Sequence, residues 1–153
     1  MFSPQEPYEK LQTYWRGNTD VGTMGVSAEK VAGLEDRLKL SFPLDFRRYL
    51  LRSAPSKDHL DKETTFWWPF AKITDVSVQR EWLSTLKAQR FAMVEWEYLC
   101  FADWAINCHA WAINCSNNAS RGQVVVIGDG SVVANSFAAF VDGHISGGRR
   151  NHG

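Results

Sequence analysis

The chain has 153 residues, and its 17 Lys plus Arg equal its 17 Asp plus Glu. One compact domain fits that length, with a core large enough to fold without disulfides or metal. Balanced charge excludes a global attraction to nucleic acid or to an anionic membrane surface, and no apolar run is long enough to span a bilayer.

The N-terminus, "MFSPQEPYEK", has neither a basic start nor an apolar run, so a cytoplasmic location with reduced thiols is expected. Three cysteines match no small-domain disulfide framework. Residues 1–25 are polar and punctuated by Gly17, Gly22 and Gly25, and read as a loosely attached arm with a short helix near Tyr8–Trp15. A helix then follows from Ser27, a good N-cap, with Glu29 in the first turn and Val26 and Val31 placed as a hydrophobic staple. Val31, Leu34 and Leu38 recur at helical spacing, and Pro43 ends this helix and opens another. Phe46, Tyr49 and Leu50 form the apolar stripe of that second helix, which stops before Pro55.

"SKDHLDKE" reads as a charged loop, and "TTFWWPFAKI" as an aromatic strand with Pro69 at an edge or end. A helix around Asp75–Lys87 comes next. From Phe91 the language changes to strands: "FAMVEWEYLCFADW", "AWAINCS", "GQVVVIG", a turn at Asp129-Gly130, and "SVVANS". Asn135 or Ser136 caps a last helix, "FAAFVDGHI", with Phe137, Phe140 and Val141 inward, and residues 146–153 are a frayed tail. The predicted fold is α+β: N-terminal helices packed on an antiparallel, meander-like sheet, closed by a C-terminal helix.

These features, in this order, resemble the SUKH superfamily, the Smi/Knr-type domain. "VSAEKVAGLEDRLKLSFPLDFRRYLL" resembles its opening helix pair, "FWWPFAKITDV" its central tryptophan-proline strand, "LCFADWAINCHAWAIN" its hairpin, and "SVVANSFAAFV" its closing helix. The resemblance covers residues 26–145. It implies a non-catalytic protein-binding domain, in bacteria an immunity protein that neutralises a cognate toxin, often a nuclease. In fungal relatives it implies a regulatory interaction domain. The family has no shared catalytic residues to carry over. Two features depart from the pattern: "RSAPSKDH" stands where many members place a glycine-containing loop, and many members are acidic whereas this chain is neutral.

The residues themselves offer little catalytic chemistry. Cys100, Cys108, His109 and Cys115 lack the close cysteine knuckle of a structural zinc site, and adjacent Cys108 and His109 point to opposite faces of a strand. No metal, cofactor or catalytic residue is therefore predicted, and a thiol-dependent enzyme is a remote alternative. Asp142 and His144 could supply an orienter or a second base to such a thiol site, but Gly143 marks them as a helix end, where His144 is favoured by the C-terminal dipole. Glu35 reads as a boundary residue, hydrogen-bonded to a neighbour or solvated.

Trp67 and Trp68 are the better binding candidates. Successive strand residues face opposite ways, so both are buried only if the sheet is covered on both sides: either one is buried and the other covered by the N-terminal arm, or one is an exposed anchor, rimmed by Asp58, Asp61 and Glu63. The expected partner is a protein, a cognate toxin domain, with no direct nucleic acid or membrane contact, and the chain is expected to be a monomer or weak homodimer. The duplicated pentapeptide in "WAINCHAWAINC" reads as two arms of one hairpin. A register pairing Phe101 with Ile113 and Leu99 with Cys115 is favoured over one pairing Cys100 with Cys115, because it groups Leu99, Phe101, Trp111 and Ile113 inward.

Overall fold

The computed structural model describes residues 6–15, 24–57, 59–61, 65–73, 97–104, 109–127 and 131–146. Three helices open the chain: α1 (Pro7–Trp15), α2 (Ala28–Leu38) and α3 (Leu44–Arg52). Strands β1 (His59–Leu60) and β2 (Thr65–Trp67) lead into a short helix, α4 (Phe70–Ile73). Then come β3 (Tyr98–Trp104), β4 (His109–Asn114), β5 (Val124–Val126), β6 (Val132–Ala134) and the closing helix α5 (Phe137–Ile145). The strands form one antiparallel sheet in the order β1-β2-β3-β4-β5-β6, so the fold is α+β with a meander sheet.

The caps act as the sequence dictates. The Ser27 hydroxyl accepts from the Lys30 amide and the Ser136 hydroxyl from the Ala139 amide, each satisfying a donor that a helix leaves unpaired. Helix α2 stops at Lys39, whose left-handed backbone (φ 56°) turns the chain toward Pro43, the N-cap of α3. Gly25 is needed where it stands: its φ is 84°, its amide donates to the Ala54 carbonyl, and a Cβ there would lie 2.4 Å from the Leu51 oxygen. Together with the Val26 amide on the Leu50 carbonyl and a bridge between Met24 and Pro55, this clips the chain entering α2 onto the end of α3.

One core of aromatic rings fills the space between the sheet and helices α3 and α5. Phe137 lies 5.3 Å from Phe46 and 4.9 Å from Tyr49, and Phe140 lies 5.4 Å from Phe101 and 5.2 Å from Trp111, centroid to centroid. Most of these pairs are edge-on or tilted, the arrangement the ring quadrupoles favour.

Several expectations need correction. Residues 7–15 are a docked helix, not a loose arm: Leu11 and Trp15 are buried, and Tyr8, Lys10 and Gln12 bond to α3 and α5 and to the residue just after α3. The apolar side of a helix this short is stable only when packed, and the aromatic core supplies the surface. Residues 59–60, read as loop, form an edge strand, while Phe70–Ile73, read as strand, are helical because Pro69 starts a helical turn more readily than it continues a ladder.

The β3–β4 register is neither of the two considered. Trp104 pairs with His109, Asp103 with Ala110 and Ala102 with Trp111, then a bulge at Phe101 shifts the pairing so that Cys100 meets Ala112 and Leu99 meets Ile113. The extra residue keeps Leu99, Phe101, Trp111 and Ile113 buried, as the favoured grouping required, although their partners differ. The predicted helix over residues 75–87, the strand residues 91–96, the Asp129-Gly130 turn and the tail from residue 147 lie outside the described residues.

Candidate functional site

The polar centre of the molecule is assembled by β1, β2 and α5. Asp61 closes the short β1–β2 hairpin: its amide donates to the Thr65 carbonyl and its Oδ1 accepts from the Thr65 amide. Its Oδ2 takes the Trp67 indole N–H at 2.8 Å and lies 2.6 Å from His144 Nε2. His144 reaches it because Phe137, Phe140, Val141 and His144 recur on one face of α5, so the imidazole continues the inward stripe. The ring stacks on Phe140 and meets Trp67 and Tyr14 edge-on. His59, paired across the hairpin with Trp67, is also buried, and the Trp15 ring of α1 packs against it at 4.7 Å.

Burial of the Asp61 carboxyl works to raise its pKa, but the His144 contact, the Trp67 indole and the Thr65 amide outweigh it, so Asp61 is held below the ordinary carboxylate value of 3.8. Burial pushes the His59 imidazole below its ordinary value of 6.5, opposed in part by the Asp61 charge. The Asp61–His144 pair has the contact of an acid–base dyad, yet its side chains are 0% and 1% exposed, so no reacting group reaches it in this conformation. What the arrangement does is mechanical: one carboxylate ties the β1–β2 hairpin to α5, beneath α1.

The opposite face of the sheet carries a second carboxylate–indole pair. Trp68 donates its indole N–H to Asp103 at 2.7 Å, and the Lys72 ammonium from α4 lies 4.4 Å from the centre of the Trp68 ring and 3.8 Å from Asp103. The sheet is thus covered on both sides here. Trp67 and Trp68 are each 0% exposed, so the alternative with one exposed indole is not met, and Trp67 lies under Trp15 of the N-terminal segment. Asp61 is a buried strut, not part of an acidic rim; Asp58 and Glu63 lie outside the described residues.

The other chemistry-bearing groups serve as structure too. Glu35 accepts from the Phe42 amide and pairs with Arg47, tying the α2–α3 connection. Asp142 pairs with Lys10 rather than orienting a histidine. Cys100 and Cys115 are buried; burial pushes the Cys100 thiol far up and the Cys115 thiol to about 12, where Arg121 lowers it somewhat and Glu35 raises it. Cys108 lies outside the described residues, and among the described residues no three His, Cys, Asp or Glu side chains group as a metal site. An open groove of about 460 Å³ runs between the end of α2 and the Cys115–Asn117 turn, lined by Arg37, Lys39, Ser41 and Glu97. No described helix is long and apolar enough to cross a membrane.

Sequence reasoning missed the pairing of His144 with Asp61 and the burial of His59, whereas cover of a tryptophan by the N-terminal segment was one of the two alternatives it left open. The i, i+3, i+4, i+7 run from Phe137 to His144 was the available signal for the first.

A family model, the SMI1 / KNR4 family (SUKH-1), matches residues 25–143, and none of the curated proteins matches the chain. The match spans α2 to the last turn of α5, taking in the sheet, Asp61 and both indole–carboxylate pairs. The chain belongs to the SMI1 / KNR4 family (SUKH-1).

Proposed function

We propose that the chain is a non-catalytic protein-binding domain of the immunity type, acting in the cytoplasm on a cognate toxin, a nuclease being the leading class. The observation that carries this reading is the family match over residues 25–143. The burial of the Asp61–His144 pair and of the Cys100 and Cys115 thiols supports it, because groups sealed in a core are spent on structure and a binding function needs none of them free.

Action is by occlusion: a preformed surface covers the toxin's active site, and a few residues supply most of the affinity. The partner-facing segment we assign is the β1–β2 hairpin, where Asp58 and Glu63 provide the acidic contacts. Asp61 and Trp67 hold the hairpin from beneath and Trp68 anchors the strand that follows it. The chain works as a monomer or weak homodimer.

The test is co-expression with the product of the adjacent candidate toxin gene. Rescue of growth with a co-purifying complex is expected; neither rescue nor a complex with any adjacent-gene product overturns the reading. The absence of net negative charge, which removes global mimicry of nucleic acid, favours a second reading. In it the chain is a regulatory interaction domain with no toxin partner, and the gene stands apart from any toxin.

A further inference from the structure

The sheet sets two turns at opposite ends of β3. Thr65 of the β1–β2 hairpin pairs with Trp104, the last residue of β3, whereas Asn114, where the β4–β5 turn begins, pairs with Tyr98, the first. The two turns are therefore about 20 Å apart along the strand. At the Tyr98 end, the β4–β5 turn meets the C-terminus of α2 across the open groove of about 460 Å³. A second opening of about 520 Å³ shares Lys39, Leu40, Ser41 and Asn117 with it, so the two make one cleft around the α2–α3 connection.

Both walls are braced. The left-handed Lys39 gives its amide to the Asp36 carbonyl, and the Leu40 amide reaches the Glu35 carbonyl. Across the cleft, the Asn114 side chain accepts from the Ser116 amide and donates to the Ser120 carbonyl, and Asn118 accepts from the Ser120 amide. The Arg121 guanidinium donates to the Cys115 and Ser116 carbonyls and reaches the Ser41 hydroxyl at 3.5 Å, which joins one wall to the other. A cleft held in this way loses little freedom when it is filled.

Its charge is unbalanced. Arg37 and Lys39 line the groove against one carboxylate, Glu97, among the described residues. Among the described residues neither cation forms an ion pair, and Arg121 is spent on neutral oxygens. The negative end of the α2 dipole offsets only about half a charge. Leu38 and Leu40 add apolar surface to the same lining.

We propose that this cleft is a second docking site, which receives an extended acidic segment of a protein partner. Carboxylates of the segment meet Arg37 and Lys39, and an aliphatic side chain between them lies on Leu38 and Leu40. Arg37 and Lys39 are two positions apart at a helix end, a spacing that does not bring side chains together. A row of single carboxylates matches that spread better than one compact dianion, and Glu97 opposes a dianion further. The volume is in the range of clefts that hold small ligands and side chains. The site goes beyond the hairpin contact proposed above, and its place at the other end of β3 leaves both open to partners at once.

The test is amide NMR of the full chain titrated with the peptide acetyl-Asp-Glu-Leu-Asp-Glu-amide, with acetyl-Asn-Gln-Leu-Asn-Gln-amide and inorganic phosphate as comparisons. Saturable shifts are expected at Lys39, Leu40, Ser116 and Asn117, with the acidic peptide bound more tightly than either comparison. Arg37 and Lys39 are exposed, so Arg37→Gln and Lys39→Gln are expected to keep the fold, and together to weaken binding about threefold to tenfold. Added salt should weaken it as well. The proposal is overturned if the acidic peptide does not bind, if the amide peptide binds as well, if the shifts lie elsewhere, or if the double variant binds equally. Phosphate bound in the cleft more tightly than the peptide also overturns it, since the site then takes small anions. No toxin enters this experiment, so its result and that of the co-expression test are independent.

Discussion

Trp67 and Trp68 are neighbours in sequence, buried to the same degree, and each gives its indole N–H to a carboxylate, yet they belong to different environments. Trp67 faces the helices, where its ring touches Trp15, Tyr49, Phe101, Phe140 and His144 and its acceptor Asp61 is balanced by an imidazole. Trp68 faces the other side, where its acceptor Asp103 is balanced by a lysine that keeps a third of its side chain in water. The same local device is thus built once with a buried imidazole beside the carboxylate and once with a half-wet ammonium. The lesson is that equal burial does not mean equal dependence on conditions.

The largest effect should come from removing the first ring. Trp67→Ala is expected to cost about 3–5 kcal/mol in urea denaturation, since it opens the centre of the aromatic cluster and takes a donor from Asp61. If the loss is below about 1 kcal/mol, the helical face is not the keystone that its contacts indicate.

The carboxylates sharpen the contrast. Asp61→Ala breaks a fully buried pair and should cost about 3–5 kcal/mol. Asp103→Ala should cost only about 1–3 kcal/mol, because Lys72 can turn to water while the Trp68 N–H loses its acceptor. Equal losses in thermal or chemical denaturation would erase the distinction between the two faces.

The pH dependence separates them next. His59 is held below 6.5 in the folded chain, so the unfolded chain binds a proton that the folded one refuses. Stability contributed by neutral His59 is complete above about pH 6.5 and falls by up to about 1.4 kcal/mol per pH unit below it, levelling off at the folded pKa. Asp61, held below 3.8, contributes stability that is present above that value and is lost as pH falls through its lower folded pKa. Denaturation midpoints between about pH 7.5 and 5 should therefore fall in the unaltered chain and fall less in His59→Gln, whereas Lys72→Gln should leave the slope unchanged.

The smallest effect is that of the lysine itself. Lys72→Gln should cost about 0.5–1 kcal/mol, the worth of a partly exposed cation over an indole, and added salt should shrink the difference. A larger loss would mean that Asp103 depends on its counterion as Asp61 does.

Local chemistry made much of the fold legible. Ser27, Pro43 and Ser136 mark element boundaries by what their side chains and rings can do to a backbone, and Phe46, Tyr49 and Leu50 mark a helical face. What stayed hidden depends on distance in sequence. The burial of Asp61 is set by His144, 83 positions away, and nothing in "SKDHLDKE" distinguishes that aspartate from its charged neighbours. Strand β3 is buried at every position but its last, so the alternation that fixes a register is missing, and the bulge at Phe101 could not be seen. Trp15 lay in a polar stretch, and only the rings of His59 and Trp67 gave it a place to go.

The clip at Gly25 has a kinetic consequence for α1. Because Met24, Gly25 and Val26 are fastened to the end of α3, α1 is joined covalently to a point held on the folded domain. Its return after any opening is first-order, set by the chain connection and not by how much protein is present, and any rival for the seat on Trp67 and His59 competes with a partner that stays attached.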